Sequence, residues 1–395
     1  MDQIFVVLKD KILHLASGLL QGSWIDLLSM IINMAAILLF APLLMMYLTL
    51  LERKVVARVQ DRWGPNRVGP FGLLQPIADG IKMFLKEDIT PDIADKLLHR
   101  MAPIMVVVPS LMMFAVLPFG AGMVAADLNI GVLFFISIAA LETVAVVMGG
   151  WASRSKYSLL GGMRAAAQAI SYEVPLGLSI IAIVMWTGSM STQAIVEKQG
   201  EFFGLHWNIF HPWGLLGFFI FFLTGVAEIN RTPFDTPEGE SELVAGYHTE
   251  YSGMKFALFQ MAEFLSGFAI SAMAATLFLG GWQGPVLPSW LWFMIKSLGL
   301  FIVLIWFRGT FPRFRIDQVM AFAWKFLLPL ALANIFIVAV DYYFAGFVGY
   351  VLAWILALLC FFTIWAINSM QVPHPYIGTV THSPGGAAPA GNTAA

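Results

Sequence analysis

Four glutamates stand within long apolar stretches of the chain, where ionisable side chains are uncommon: Glu142, Glu173, Glu228 and Glu263. A charged group at the middle of a membrane-spanning helix costs at least about 2.5–3.5 kcal/mol, and such groups usually face a polar interior and mark proton or ion pathways. These residues therefore predict a proton-handling site. The alternative is that each glutamate only hydrogen-bonds a neighbouring helix.

A second set of carboxylates occupies the segment 229–255, between two of the apolar stretches. Two prolines and a glycine interrupt the charge run, which favours a loop of defined shape over a solvated acidic linker. At about 1.5 Å per helical residue, Glu142 lies roughly 13 Å from the end of its stretch on this side, and Glu228 lies at the boundary. We therefore expect a series of carboxylates that descends from the segment toward the bilayer midplane. The acids of the segment are Asp235, Glu238, Glu240, Glu242 and Glu250.

The composition requires a surface that faces lipid. Of the 395 residues, 59% are hydrophobic and 12% are charged, and the mean hydropathy is +0.79. Soluble domains carry about 25% charged residues, so this chain has too little polar surface to face water. A bilayer core about 30 Å thick needs about 20 apolar residues in a helix. The stretches that fit are 26–51, 102–124, 130–151, 166–188, 212–228, 257–280, 290–308, 321–341 and 348–368.

The predicted fold is therefore all-α, a polytopic transmembrane helical protein with about nine spans and long loops on one side. Positively charged loops face the cytoplasm, or the matrix of a mitochondrion. Eighteen of the 22 Lys and Arg residues fall in four loops, which we expect to face inward: 52–100, 151–165, 229–255 and 308–325.

Three parts of the chain follow from this topology. Residues 1–24 are expected to form an interfacial segment on the outer side, because their apolar spacing suits a short helix at a membrane surface. Residues 25–370 are expected to form the transmembrane domain. Residues 371–395 are rich in Gly, Ala and Pro, and this composition predicts a disordered tail.

The inner loop 52–100 carries two local signals. The run from Gly64 to Pro70 (GPNRVGP) suits neither helix nor strand and predicts a rigid turn. Apolar residues then recur at helical spacing from Phe71 to Leu85, which predicts an amphipathic helix at the interface. A loop this long and rigid indicates a docking surface, and the alternative is a topological loop with basic anchors.

The remaining charged residues give less specific signals. Arg308, Arg313 and Arg315 form a basic cluster on the inner side, either a positive-inside anchor or a partner contact. Lys296 lies within the seventh predicted span, and the sequence offers it no partner. The single cysteine, Cys360, excludes an internal disulfide and a Cys-ligated iron–sulfur cluster. No metal site, dinucleotide fingerprint or phosphate-binding loop is predicted.

Several sequence motifs, found in order between about residues 25 and 345, resemble one family of membrane proteins. It is the family of the quinone-site membrane subunit (the H subunit) of NADH:quinone oxidoreductase, respiratory complex I, whose mitochondrial counterpart is NADH dehydrogenase subunit 1. The predicted ninth span and the tail extend beyond the shortest members. The motifs are Glu52-Arg53-Lys54, Gln60 to Pro70, Gln75 to Lys82, Ser171-Tyr172-Glu173, Ala227 to Asp235, Glu250 to Phe256, and Arg308 to Gln318.

The resemblance implies a subunit that is not catalytic alone and binds no prosthetic group of its own. It implies quinone as the substrate, with FMN and the iron–sulfur clusters in partner subunits. Those partners would be two peripheral-arm subunits that complete the quinone chamber, and antiporter-like and small membrane subunits. The membrane would be the bacterial inner membrane, with the mitochondrial inner membrane as the alternative. No nucleic acid is expected as a partner.

Carried over by motif, the resemblance also implies roles for individual residues. The quinone chamber and its entrance would involve Glu52, Arg53, Arg62, Trp63 and Asp79. Docking of the peripheral arm would involve Arg67, Arg308, Arg313 and Arg315. Proton coupling would involve Glu142, Glu173, Glu228, Glu238, Glu240, Glu242, Glu250 and Glu263.

Three other functions remain open at this point. The equivalent subunit of a membrane-bound hydrogenase would share the general plan. A stand-alone proton-coupled transporter would use the same carboxylates, but transporters usually show internal repeats, and the second half of this chain does not repeat the first. A purely structural anchor would carry acids without a role in proton transfer.

Overall fold

The computed structural model describes residues 4–17, 22–200, 206–344 and 346–370, and within these ranges the chain forms helices and no strand. The predicted tail, 371–395, lies outside the described residues. The helices are α1 (Ile4–Ser17), α2 (Ser23–Val59), α3 (Gln75–Leu85), α4 (Lys96–Met113), α5 (Gly131–Ala152), α6 (Lys156–Thr187), α7 (Thr192–Lys198), α8 (Pro212–Glu228), α9 (Glu240–Leu243), α10 (Gly253–Phe278), α11 (Ser289–Thr310), α12 (Ile316–Ala321), α13 (Leu328–Tyr343) and α14 (Phe347–Met370).

The described chain contains eight helical segments that are long and apolar enough to cross a membrane, with α12 and α13 joined into one by a π-helical stretch. Helix α8, with 17 residues, is a ninth and shorter apolar helix. The prediction of an all-α, polytopic membrane protein with about nine spans is therefore confirmed. Helix α10 lies at the centre, since 89% of its most apolar stretch is buried inside the protein.

Helix α6 is longer than the sequence predicts. It begins at Lys156, so only Ser153–Ser155 separate it from α5, where the sequence predicts a loop over 151–165. Close packing of the two helices explains the short connection. A Cβ atom on Gly150 would lie 2.7 Å from the carbonyl oxygen of Ser158 and 3.3 Å from the Cα atom of Gly162.

The loops on the side of the acidic segment, which we call the long-loop side, are tied to one another. Lys54 donates from Nζ to the carbonyl oxygen of Phe71 over 2.6 Å. Further along, Lys255 at the start of α10 lies 3.0 Å from a carboxylate oxygen of Asp88. The connection between α2 and α4 is therefore attached at one end to α2 and at the other to α10.

The predicted amphipathic helix is present as α3, but it begins at Gln75 and not at Phe71. Phe71 adopts a left-handed conformation with φ 53°, which a continuing helix cannot accommodate. The loop and helix leave large apolar side chains uncovered, since Phe71 is 75% exposed and Leu85 is 82% exposed. Exposed apolar patches of this kind mark a membrane or partner surface.

At the opposite end of the bundle, Lys296 has partners that the sequence does not reveal. Its ammonium group donates to the carbonyl oxygens of Leu279, Gly281 and Gln283, at 2.6, 3.0 and 2.6 Å. These carbonyls belong to the turn that directly follows α10, beside the end of the helix dipole that attracts positive charge. The lysine is therefore a cap for the central helix.

Candidate functional site

A cleft of about 40 Å³ lies inside the bundle on the long-loop side. Four carboxylates line it, each from a different element: Glu142 from α5, Glu228 from the end of α8, Glu263 from α10 and Glu238 from the acidic segment. The structure therefore brings together carboxylates that are far apart in the chain. The rest of the wall is Val106, Ala139, Thr143, Val146, Ala165, Ala169, Ile229, Asn230, Tyr247, Phe259 and Ser266.

Helix α10 supplies two polar groups to this cavity. Glu263 and Ser266 are three residues apart, so they lie on the same face of the helix. The hydroxyl of Ser266 donates to Oε1 of Glu142 over 2.6 Å, and thereby links α10 to α5. Glu173 of α6 is half-buried and lies close enough to Glu228 to interact with it electrostatically, but it does not line the cavity.

A buried arginine, Arg231, pairs with one of the carboxylates of the cavity wall. Arg231 is 2% exposed, and its guanidinium lies 2.5 Å from Oε2 of Glu52 and 2.8 Å from Oε1 of Glu263. The ring of Phe264 lies 4.5 Å from the guanidinium carbon. A buried charge is strongly destabilising without partners, so the two carboxylates are required to hold this cation. Arg308 provides a second ion pair to Glu52.

Arg231 has no role that can be predicted from the sequence alone. The available signal was an arginine three residues after Glu228, at the end of an apolar stretch. Glu52, which the family resemblance places at the quinone entrance, is only 6% exposed and lies between Arg231 and Arg308. Its carboxylate is thus linked through Arg231 to Glu263 in the cavity wall.

Of the other residues predicted for the entrance and the first docking contact, Arg53 lies in α2, Asp79 lies in α3, and Arg62, Trp63 and Arg67 lie on the connection between the two helices. Arg53 and Asp79 form an ion pair of 2.5 Å, with side chains 52% and 32% exposed. Trp63 is 74% exposed, and the guanidinium carbon of Arg58 stands 4.4 Å from its ring. Arg62 and Arg67 are exposed. None of these residues lines the cavity.

The acidic segment divides into an inward and an outward part. Glu242 faces outward, where it lies 2.5 Å from Arg164 and 3.6 Å from Arg313, and its side chain is 47% exposed. Glu250 is half-buried and does not line the cavity, and the side chain of Glu240 lies outside the described residues. Among the predicted coupling acids of the segment, Glu238 is therefore the one that the described structure places in the cavity wall.

Burial changes the acidity of the inward part. Burial raises the pKa of Asp235 to about 6, with Arg313 opposing the shift. Burial, with Glu263 and Asp235 nearby, raises the pKa of Glu238 well above its ordinary value. His248 lies 3.5 Å from Oε1 of Glu238, and burial lowers the pKa of this histidine to about 4. In contrast, the hydrogen bond from Arg164 lowers the pKa of the outward Glu242.

These features describe a site suited to moving protons. Carboxylates that share one cavity titrate as a coupled set, so a change of charge at one member alters proton binding at the others. Polar walls and a cavity larger than a water molecule also allow ordered water to bridge the groups. Among the described residues, no group of three or more histidine, cysteine, aspartate or glutamate side chains is arranged to hold a metal ion.

Known proteins of one family are similar to this chain over most of its length. The family model described as NADH dehydrogenase matches residues 32–339, and the match ends before α14. A protein of Dehalococcoides mccartyi, named as the H subunit of NADH-quinone oxidoreductase, is 52% identical over 80% of this chain and 87% of its own. Proteins of the same name from Syntrophotalea carbinolica and Bacillus cytotoxicus are 48% and 51% identical, over 80% and 78% of this chain and 96% and 92% of their own.

Proposed function

The chain belongs to the NADH dehydrogenase family, and on this premise we propose that it is the membrane subunit of an NADH-quinone oxidoreductase that couples quinone reduction to proton movement. The observation that carries the coupling role is the single cavity lined by Glu142, Glu228, Glu238 and Glu263. An inert anchor has no need for four carboxylates in one cavity, because each buried acid costs free energy and adds nothing to anchoring.

Quinone is the substrate in this proposal, and the loop after α2 forms its entrance together with α3. A lipid-soluble molecule must enter from the bilayer, and the exposed apolar side chains of Phe71, Phe84 and Leu85 provide an apolar approach. Flavin and iron–sulfur clusters belong to partner subunits, since a single cysteine cannot ligate a cluster. The chain's own residues bind and hold protons and contribute no electron carrier.

Arg231 provides the link between quinone charge and the cavity. Its guanidinium is shared between Glu52, near the end of α2, and Glu263, in the cavity wall. Negative charge that develops near Glu52 would compete for this guanidinium, weaken its hold on Glu263 and favour proton binding there. At an effective dielectric of about 20, two charges about 4 Å apart interact with about 4 kcal/mol, which is enough to alter proton occupancy.

The partners in this proposal are two peripheral-arm subunits on the long-loop side, and antiporter-like and small membrane subunits within the bilayer. Of the four arginines predicted for arm docking, Arg308 and Arg313 are paired within the chain, to Glu52 and Glu242. Arg67 and Arg315 are exposed and available for a partner. We place the complex in a bacterial inner membrane, with the long-loop side facing the cytoplasm.

Gentle purification of the tagged chain tests the assignment. We expect a large complex with flavin, iron–sulfur centres and NADH-driven quinone reduction. Hydrogen evolution by the purified assembly would instead indicate a membrane-bound hydrogenase. Recovery of a homo-oligomer without redox centres would overturn the proposal in favour of a proton-coupled transporter.

A further inference from the structure

Gln168 of α6 holds the turn that follows α8. Its side chain is fully buried. Nε2 shares its two hydrogens among three acceptors: the carbonyl oxygen of Ala227 at 2.7 Å, the carbonyl oxygen of Phe234 at 2.8 Å, and Oδ1 of Asn230 at 3.1 Å. Oε1 accepts from the hydroxyl of Thr236 over 2.5 Å. One side chain therefore contacts the turn at four points between residues 227 and 236.

Each of these contacts lies next in sequence to a charged residue of the site. Ala227 precedes Glu228, and Asn230 precedes Arg231. Phe234 and Thr236 flank Asp235. Because neighbouring residues share a peptide plane, fixing one residue of each pair limits where the charged neighbour can lie. The amide of Gln168 thus limits the positions of three charged side chains, Glu228, Arg231 and Asp235, although it contacts none of them.

The chemistry of the contacts requires an amide at this position. Three oxygen acceptors face Nε2, and a carboxylate in its place would set negative charge against all three. A side chain such as methionine, of similar length, would leave the same buried oxygens without a donor, which is costly. The Thr236 hydroxyl needs an acceptor at the other polar atom of this side chain, and the amide oxygen Oε1 supplies it.

We propose that Gln168 is a positioning residue: its amide fixes the turn 227–236 on α6 and so sets the places of Glu228, Arg231 and Asp235 at the carboxylate cavity. The functional half of this inference rests on the proposed function, since it concerns coupling. The structural half concerns only the turn and can be measured without any activity.

The test compares Gln168→Met with Ser179→Ala in the intact purified complex. Ser179 is a suitable control because it is buried on the same helix and donates only within it, to the carbonyl oxygen of Leu176 over 2.7 Å. Two quantities are measured: hydrogen–deuterium exchange of the amides in 229–236, and protons moved per electron in proteoliposomes. The second is a ratio, so a lower amount of complex does not change it.

For Gln168→Met we expect exchange in the turn to become about tenfold faster or more, because several hydrogen bonds that hold the turn are lost together. We expect the proton-to-electron ratio to fall at least twofold, with both quantities unchanged in Ser179→Ala. Thr236→Val removes a single contact and should give a smaller change of the same kind, which keeps the test open if Gln168→Met fails to assemble.

Unchanged exchange in both Gln168→Met and Thr236→Val would overturn the positioning role. Faster exchange with an unchanged ratio would overturn the link to coupling. A wild-type complex without NADH-driven quinone reduction would contradict the proposed function, and the exchange result would still decide whether Gln168 holds the turn.

Discussion

Helix α10 is associated with two buried cations, one near its middle and one just beyond its last residue, and the two cations are held in different ways. Arg231 is paired with the carboxylates of Glu52 and Glu263, on the long-loop side. Lys296 is held beyond the last residue of α10 by three backbone carbonyl oxygens. Both cations lie over aromatic rings, Phe264 for Arg231 and Trp207 for Lys296.

The difference lies in what the partners can do. Carbonyl dipoles do not titrate, so the surroundings of Lys296 remain the same whatever the redox state of the complex. Carboxylates can gain or lose a proton, so the surroundings of Arg231 can change charge. A structural cap and a responsive site can therefore be built from similar buried cations, and the partners distinguish them.

Removing the responsive cation, Arg231, should have the largest effect on the stability and assembly of the complex. Arg231→Met leaves Glu52 and Glu263 buried and without their shared partner, and breaking a buried ion pair in this way costs about 3–5 kcal/mol. We expect little assembled complex on a native gel. Normal assembly with normal quinone reduction would show that the two carboxylates do not depend on Arg231.

Removing the structural cation should affect stability and leave coupling unchanged. Lys296→Met leaves three carbonyl oxygens after α10 without a donor, and we expect a loss of about 2–3 kcal/mol in stability, seen as a lower thermal midpoint. The proton-to-electron ratio of the complex that does assemble should equal that of wild type. A lowered ratio would erase the distinction between the structural cation, Lys296, and the responsive cation, Arg231.

The inward part of the acidic segment should make stability depend on pH. Burial raises the pKa of Asp235 to about 6, so the folded protein binds this proton more tightly than the unfolded chain, where the pKa is about 4. The stabilisation is therefore present at low pH and is lost as the pH rises from about 4 through about 6. Asp235→Asn should lose less thermal stability than wild type between about pH 5 and 7, by about 2 kcal/mol or less. Parallel pH profiles for the two proteins would contradict this assignment.

Substitution in the outward part of the acidic segment should have the smallest effect on assembly and on the proton-to-electron ratio. Glu242 is about half exposed, and exposed ion pairs contribute about 0–1 kcal/mol. Glu242→Gln should therefore assemble normally and keep the wild-type proton-to-electron ratio, in contrast to substitutions in the cavity wall. A clear fall in the ratio would restore the coupling role that the family resemblance implies for this residue.

The spans and the amphipathic helix could be predicted from sequence, because apolar length and helical spacing are local properties. The contacts of the site could not. Glu52 and Arg231 are 179 residues apart, and only the packing of α2 against the bundle brings them together. The sequence also could not separate Glu238 from Glu242, since residues of one short segment face opposite ways. Lys296 lacked a partner in sequence because backbone carbonyls leave no residue-type signal.

Proton movement per electron in Glu228→Gln tests the coupling role of the cavity most directly. Glu228 lines the cavity at the end of α8, and glutamine keeps its shape while removing the group that exchanges protons. The complex should be reconstituted in proteoliposomes, with NADH oxidation and proton movement recorded together and Lys296→Met as the matched control. If the cavity couples quinone reduction to proton movement, the ratio falls well below that of wild type in Glu228→Gln only. A wild-type ratio in fully assembled Glu228→Gln would contradict coupling through this cavity.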